Sequence, residues 1–323
     1  MQKLLSLAAL LVTLASLGGT AGASTVADSG ATAEESTEAG APTLAQPRPS
    51  WYTEELEARV LAAGREGVEV ALSPEQQLEL NCLGTSPPSA STSGVSVQAV
   101  SAGGCMVAPH GCTMNFIFTD GISNYIGTAG HCVQGGRTVV MQVASRVSPV
   151  EEGTILVTLA AIGQVAKSWN AGIGKDFAIV KIDPGWPVVT GVGGALGPTG
   201  VFCGDPLGQP VLHYGHGYIF FVEQGHPKVG EVIPDVSLIF NPSEEGFNWV
   251  GYGLPGDSGS GVMNAAGLAV GDLTHGLAVA GVPVPGLSFG TTAQAIFNLV
   301  GPGYSLVTVD GRSVNCAGGL IGI

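Results

Sequence analysis

Short runs of β-branched and aromatic residues, at 113–118, 138–143, 154–159, 177–182, 217–222 and 304–309, alternate with glycine-rich turns across the later two thirds of the chain. Runs of that length, separated that closely by turn residues, predict an all-β sandwich or barrel. The stretch from 97 to 311 is long enough for one large β domain, and it shows no internal repeat of fixed short period. A single helix is expected at 292–299, after the turn-rich pair Pro285-Gly286. The pattern does not by itself separate barrel from sandwich.

The segment before this domain has a different texture. Lys3 precedes a mostly apolar run at 4–17, and Ala21-Gly22-Ala23 offers a small-residue cleavage site, so residues 1–23 read as a secretory signal. The apolar run is short for a bilayer span, and no later stretch suggests one. Residues 24–50 are Ala, Ser, Thr, Glu, Gly and Pro in low-complexity order, which buries too little surface to fix a fold. At 51–81 helical signals appear. Thr53 can cap a helix that opens with Glu54, Glu55 and Glu57, carries Leu56, Val60 and Leu61 on one side, and stops at Gly64. Ser73-Pro74-Glu75 opens a second short helical candidate ending near Leu80. Residues 84–96 return to Ser, Pro, Thr and Gly, as a linker does. The expected organisation is a signal at 1–23, a largely disordered extension or pro-segment at 24–96, the β domain at 97–311 and a tail at 312–323.

The formal net charge is −14. Eleven acids and three bases fall within 24–96, so the acidity is densest ahead of the domain. That balance argues against nucleic acid or an anionic membrane surface as partner. An acid-rich, solvated surface on an exported protein accounts for it. Six cysteines (Cys82, Cys105, Cys112, Cys132, Cys203 and Cys316) make an even set, which in an exported chain suggests disulfides. No C-x-x-C pair is present to build a structural zinc knot.

The chemistry concentrates at Pro255-Gly256-Asp257-Ser258-Gly259-Ser260-Gly261. Glycines on both sides of Ser258 let the backbone turn sharply and keep the approach open. A serine hydroxyl is a poor nucleophile until a base takes its proton. The chain holds a candidate base in Thr128-Ala129-Gly130-His131-Cys132 and a candidate acid in Lys175-Asp176, ahead of the apolar strand 177–180. The order His, Asp, Ser is one of three in which this triad recurs on unrelated folds. Together these strings resemble the chymotrypsin-like serine peptidases, and the secreted bacterial branch of the streptogrisin and alpha-lytic type in particular.

The resemblance implies two six-stranded antiparallel β-barrels with the active site between them and a C-terminal helix. It implies that His131 is the base, Asp176 its orienting acid and Ser258 the nucleophile, with the N–H groups of Gly256 and Ser258 forming an oxyanion hole. The Gly-Asp-Ser-Gly string selects Ser258 over Ser260, and Ser260-Gly261 departs from the family's usual Gly-Pro. A disulfide between Cys112 and Cys132 is implied, with three pairings open for Cys82, Cys105, Cys203 and Cys316. Thr274-His275-Gly276 matches the strand that walls the substrate pocket, and Tyr252 falls where Lys- and Arg-cutting relatives carry an acid. Cleavage after basic residues is therefore disfavoured. A medium or large apolar residue before the scissile bond is the default, and His275 offers an alternative preference for acidic side chains. No Lys or Arg lies between Arg65 and Arg137, so a tryptic activation cut at the domain boundary is not expected.

His213 and His216 invite a metal reading, but Gly215 and Gly217 disfavour the helix that would share two ligands, and a satisfied loop pair is expected. The expected function is a secreted, extracellular, bacterial serine endopeptidase acting on protein or peptide substrates, monomeric and needing no metal or organic cofactor. An esterase-like acyl hydrolase with the same triad and a catalytically silent extracellular binder are the alternatives.

Overall fold

A computed structural model describes residues 43–79, 99–191, 197–217, 226–234, 245–279 and 282–318. The expected signal at 1–23, most of the low-complexity stretch, Cys82, the linker at 84–96 and most of the run at 217–222 lie outside the described residues. The described residues belong to one compact unit that begins at Ala39.

Two helices and a strand come first: α1 (Glu54–Ala63), β1 (Val68–Leu72) and α2 (Pro74–Glu79). The first half of the β domain follows as β2 (Val100–Ser101), β3 (Cys105–Ala108), β4 (Cys112–Thr113), β5 (Ile117–Thr119), β6 (Asn124–Thr128), β7 (Thr138–Val147), β8 (Ile155–Asn170), β9 (Asp176–Ile182) and β10 (Val188–Val189). The second half is β11 (Gly200–Val201), β12 (Pro210–Gly215), β13 (His226–Val232), β14 (Gly246–Gly251), β15 (Gly261–Asn264), β16 (Leu268–Val279) and β17 (Val282–Thr292). Helix α3 (Ala293–Val300) and strands β18 (Ser305–Val307) and β19 (Ser313–Val314) complete the order.

The second half closes on itself. The ladder runs β16-β15-β12-β13-β14-β17, and β17 pairs back onto β16, which makes a six-stranded barrel. Phe247, Trp249, Val262, Val270 and Leu273 fill its interior. The first half is a sheet in the order β19-β18-β5-β6-β9-β8-β7-β3-β4, open as a ladder. One run of chain joins its end strand β4 to β5, near the opposite end. The stretch 113–118, expected as a single strand, is divided: β4 pairs with β3, and β5 pairs with β6. Between them Met114 N–H donates to Gly104 O and Asn115 N–H to Gly127 O, so the run passes from one neighbour to the other. Met106, Met114, Ile126, Val139, Ile162 and Val180 pack inside this curl.

Helix α3 starts where the capping residue dictates. The Thr292 hydroxyl accepts from Ala295 N–H at 3.2 Å, which satisfies one of the free first-turn donors. Its apolar residues Ile296, Phe297 and Val300 bury against Phe118 and Phe177 between the two halves.

Residues ahead of 97 pack on the first sheet. Strand β1 pairs antiparallel with β8 from Val68↔Leu159 to Leu72↔Ile155. Leu56 and Val60 of α1 join Leu72 in a cluster with Val107, Val140, Val157 and Leu159. The reason is the amphipathic pattern itself: a helix with one apolar stripe and a strand with alternate apolar residues need a covered face, and the outer face of β8 supplies it. The tail is also tied in, because β19 pairs with β18 and Cys316 is joined to Cys203. No helix among the described residues is long and apolar enough to cross a membrane.

Candidate active site

Ser258, His131 and Asp176 come together at the junction of the two halves, from segments far apart in the chain. Asp176 is the first residue of β9 and is fully buried. His131 sits on a short 3-10 turn, Gly130–Val133, that the Cys112–Cys132 disulfide fastens to β4. Its backbone N–H donates to Asp176 Oδ1 at 2.9 Å, and its ring Nδ1 lies 2.6 Å from Asp176 Oδ2. With the Nδ1 proton committed to that carboxylate, Nε2 is the acceptor, and it lies 2.8 Å from Ser258 Oγ. The arrangement is a continuous hydrogen-bonded relay from a buried carboxylate to a serine oxygen. All three side chains are nearly excluded from water, which strengthens each electrostatic contact.

The loop 254–258 is stiffened from beneath. Asp257, fully buried, accepts from Leu254 N–H at 2.9 Å and Gly217 N–H at 2.6 Å, and its Oδ1 is 2.8 Å from Lys228 Nζ. Lys228 has no motif around it, and sequence reasoning passed it over. Thr113 N–H donates to Ser258 O, and the Thr113 hydroxyl donates to Gly256 O. Gly256 has φ +98°, a conformation that favours glycine. Its N–H consequently points into the cleft, where it donates to a peptide carbonyl, that of Leu44, at 2.5 Å.

The expected pocket residues separate into different roles. Thr274 O lies 3.0 Å from Ser258 Oγ and accepts from Leu44 N–H at 3.3 Å. Gly276 faces the Leu44 side chain. His275 is buried behind the relay: its Nδ1 is 2.8 Å from Thr274 Oγ1 and 3.8 Å from Asp176 Oδ2, and its ring stands edge-on to His131. Burial pushes His275 down to about 4. Tyr252 stands at the surface. Its side chain is 59 % exposed, and only its carbonyl turns inward, accepting from His213 Nε2 at 2.7 Å. The strand β14 ends just before it, so the chain has turned outward at this point.

His213 and His216 do not converge. His213 lies on β12, not in a loop, and its ring is held between Ser260 Oγ and Tyr252 O. His216 donates through Nε2 to Gly103 O at 2.7 Å. Burial pushes both down to about 4. Cys112, His131 and Cys132 cluster closely enough for a metal, but both sulfurs are spent in one disulfide, and thiolates are what a metal would need. Cys203 pairs with Cys316 across 113 residues, and Cys105 is also disulfide-bonded. A second acid, Asp272, stands fully buried near the relay; burial and then the Asp176 charge raise it well above the usual carboxylate range.

No protein-family model matches this chain, and no curated protein matches it. Solved structures do resemble it. Protease A of Thermobifida fusca aligns at 20 % identity with a TM-score of 0.45, over 65 % of this chain and 99 % of that one. The chymotrypsin of Cellulomonas bogoriensis aligns at 20 % and 0.44, over 65 % and 99 %. An alpha-lytic protease homologue, N4, aligns at 18 % and 0.42, over 65 % and 99 %.

Proposed function

We propose that the protein is an extracellular serine endopeptidase that cuts peptide bonds through an acyl-enzyme on Ser258. The observation that carries the reading is the relay Asp176–His131–Ser258, with contacts of 2.6 and 2.8 Å, beside a backbone donor at Gly256 already engaged with a peptide carbonyl. In this reading His131 Nε2 takes the Ser258 proton as Oγ attacks the carbonyl carbon. Asp176 holds the imidazole in the useful tautomer and steadies the imidazolium. The N–H groups of Gly256 and Ser258 receive the oxyanion. His131 then gives its proton to the leaving amine, and water, activated by the same ring, releases the acid. The residues needed are side chains and backbone amides alone. Two disulfides among the described residues accord with an oxidising compartment. The net charge of −14 accords with protein or peptide substrates over nucleic acid. The test is a fluorophosphonate probe followed by peptide mapping. The expected result is covalent marking of Ser258 alone, lost in His131→Ala, together with turnover of a peptide substrate. A correctly folded protein that stays unmarked with its cleft open to the probe would refute the proposal.

A further inference from the structure

Residues 43–46 cross the cleft in extended form and bridge its two banks. On one bank Thr43 forms an antiparallel bridge with His275 of β16. On the other, Gln46 N–H donates to Gly111 O and Gly111 N–H donates back to Gln46 O, both at 2.9 Å. The Gln46 side chain adds a bond from Nε2 to Pro255 O at 2.9 Å. Between these anchors sits Leu44. Its N–H faces both Thr274 O, at 3.3 Å, and Ser258 Oγ, at 3.1 Å. Its carbonyl oxygen takes the Gly256 N–H at 2.5 Å. The Leu44 carbonyl carbon is one bond from that oxygen and two from that nitrogen, so both neighbouring atoms fix it close to Ser258, with its C=O accepting a hydrogen bond.

The Leu44 side chain is 2 % exposed and lies among Val211, Val232, Phe247, Trp249 and Leu273. Gly253 and Gly276 leave the space open; a Cβ at Gly276 would come within 2.9 Å of Leu44 Cδ2. A leucine is therefore bound as the acyl-side residue of a substrate would be, with a small residue, Ala45, after it.

We propose that Leu44–Ala45 is the chain's own cleavage site, cut by Ser258, and that the site selects a leucine-sized apolar residue before the scissile bond. The proposal rests on the serine-peptidase reading above and adds its substrate class. In the step, the bond from Ser258 Oγ to Leu44 C forms and the Leu44 C to Ala45 N bond breaks. The serine proton passes through His131 to the Ala45 amine, and water then hydrolyses the ester. The amine half stays in place after the cut. Pro49, Tyr52, Leu56, Val60 and Leu72 are buried against the first sheet, and Ser50 is bonded to Glu79. Among the described residues the acyl half is held through Thr43 and Leu44 alone. Until that half leaves, the chain occupies its own site.

The test uses the full chain with Ser258→Ala, Leu44→Asp and Leu44→Met variants. New N-termini are read by Edman sequencing of the denatured protein over time, and a fluorophosphonate probe is offered in parallel. The native chain is expected to gain an N-terminus at Ala45, and Ser258→Ala to stay whole. Leu44→Met should be cut, and Leu44→Asp should be cut at that bond on the order of 100-fold more slowly, because a charge does not suit the pocket. Displacing the segment in Leu44→Asp should also open Ser258 to the probe whether or not the bond is cut. If Leu44→Asp takes the probe while the native bond 44–45 stays intact, this inference is overturned and the peptidase reading stands. If no chain is cut and none is marked, both fail. Cutting at Ala45 in purified Ser258→Ala overturns the self-processing claim.

Discussion

Lys228→Met is the substitution that most directly tests how the nucleophile loop is held. Asp257 is fully buried, and Lys228, with 11 % of its side chain exposed, is the cation beside it at 2.8 Å. Methionine keeps the stem's volume and deletes the charge. Asp257 then retains two backbone donors, Leu254 and Gly217, but carries an unpaired charge in the protein interior. Breaking a buried pair in this way costs about 3–5 kcal/mol, against about 0–1 for an exposed pair. Taking about 4 kcal/mol at 1.4 per decade, the folded-to-unfolded ratio falls roughly a thousandfold. The assay is urea unfolding at pH 7 in a Ser258→Ala background, which prevents self-digestion, followed by tryptophan fluorescence. Trp249 is fully buried next to this barrel's core and reports its opening. The same change in the unblocked chain should lower kcat more than it raises KM, since the loop carries Gly256 and Ser258. Asp257→Asn made together with Lys228→Met should recover part of the stability, the sign of a coupled pair. A loss below about 1 kcal/mol for Lys228→Met would refute the reasoning and return the pair to the class of surface contacts.

Four other outcomes are expected. Ser258→Ala and His131→Ala should each lower turnover of a peptide substrate by on the order of 10⁶ with little added loss in combination, and Asp176→Asn by about 10⁴, as measured with purified variants whose fold is checked by circular dichroism. Stability should fall as pH drops from about 6.5 to about 4, because His213, His216 and His275 are held near 4 when folded and so bind fewer protons than the unfolded chain across that window; Asp272, raised when folded, opposes the trend, and a flat denaturation profile over this range would contradict the assignment. Replacing both Cys203 and Cys316 by alanine should destabilise by about 5 kcal/mol, and Cys112 with Cys132 by about 3, from the lengths of loop each closes, again read by urea unfolding. A peptide library should show poor cleavage after Lys or Arg, since burying a cation against the apolar cluster that holds Leu44 would carry its desolvation cost; strict cleavage after Arg would defeat the pocket assignment.

The all-β class and the residues that meet at the relay were legible because both depend on local strings. A turn-rich alternation needs only neighbouring residues to be recognised, and Gly-Asp-Ser-Gly or Thr-Ala-Gly-His-Cys names its own serine and histidine. What stayed hidden depends on partners distant in sequence. Lys228 looks like any strand lysine until Asp257 is placed opposite it. Tyr252 was assigned by counting back from Ser258, and counting does not reveal that the chain has already turned its side chain outward. The division of 113–118 into two strands follows from hydrogen bonds to Gly104 and Gly127, which no periodicity within the run encodes. At 51–81 the Thr53 cap and the buried Leu56 and Val60 were legible as local signals, but Leu61, expected beside them, faces solvent, and the surface they cover belongs to β8, which no local pattern names. Leu44 was hardest of all, a single leucine in a low-complexity stretch.

The placement of Leu44 also sets an order of events during synthesis. Chains emerge from the ribosome N-terminus first, and Leu44 precedes Ser258 by 214 residues. When the segment 43–46 appears, neither bank of its cleft exists. Gly111 is available once the first sheet forms, but Gly256, Thr274 and the barrel interior must wait for β17 to close onto β16. The segment is made first, yet its seated position uses residues from both halves of the domain, so a fully seated Leu44 requires both to be in place.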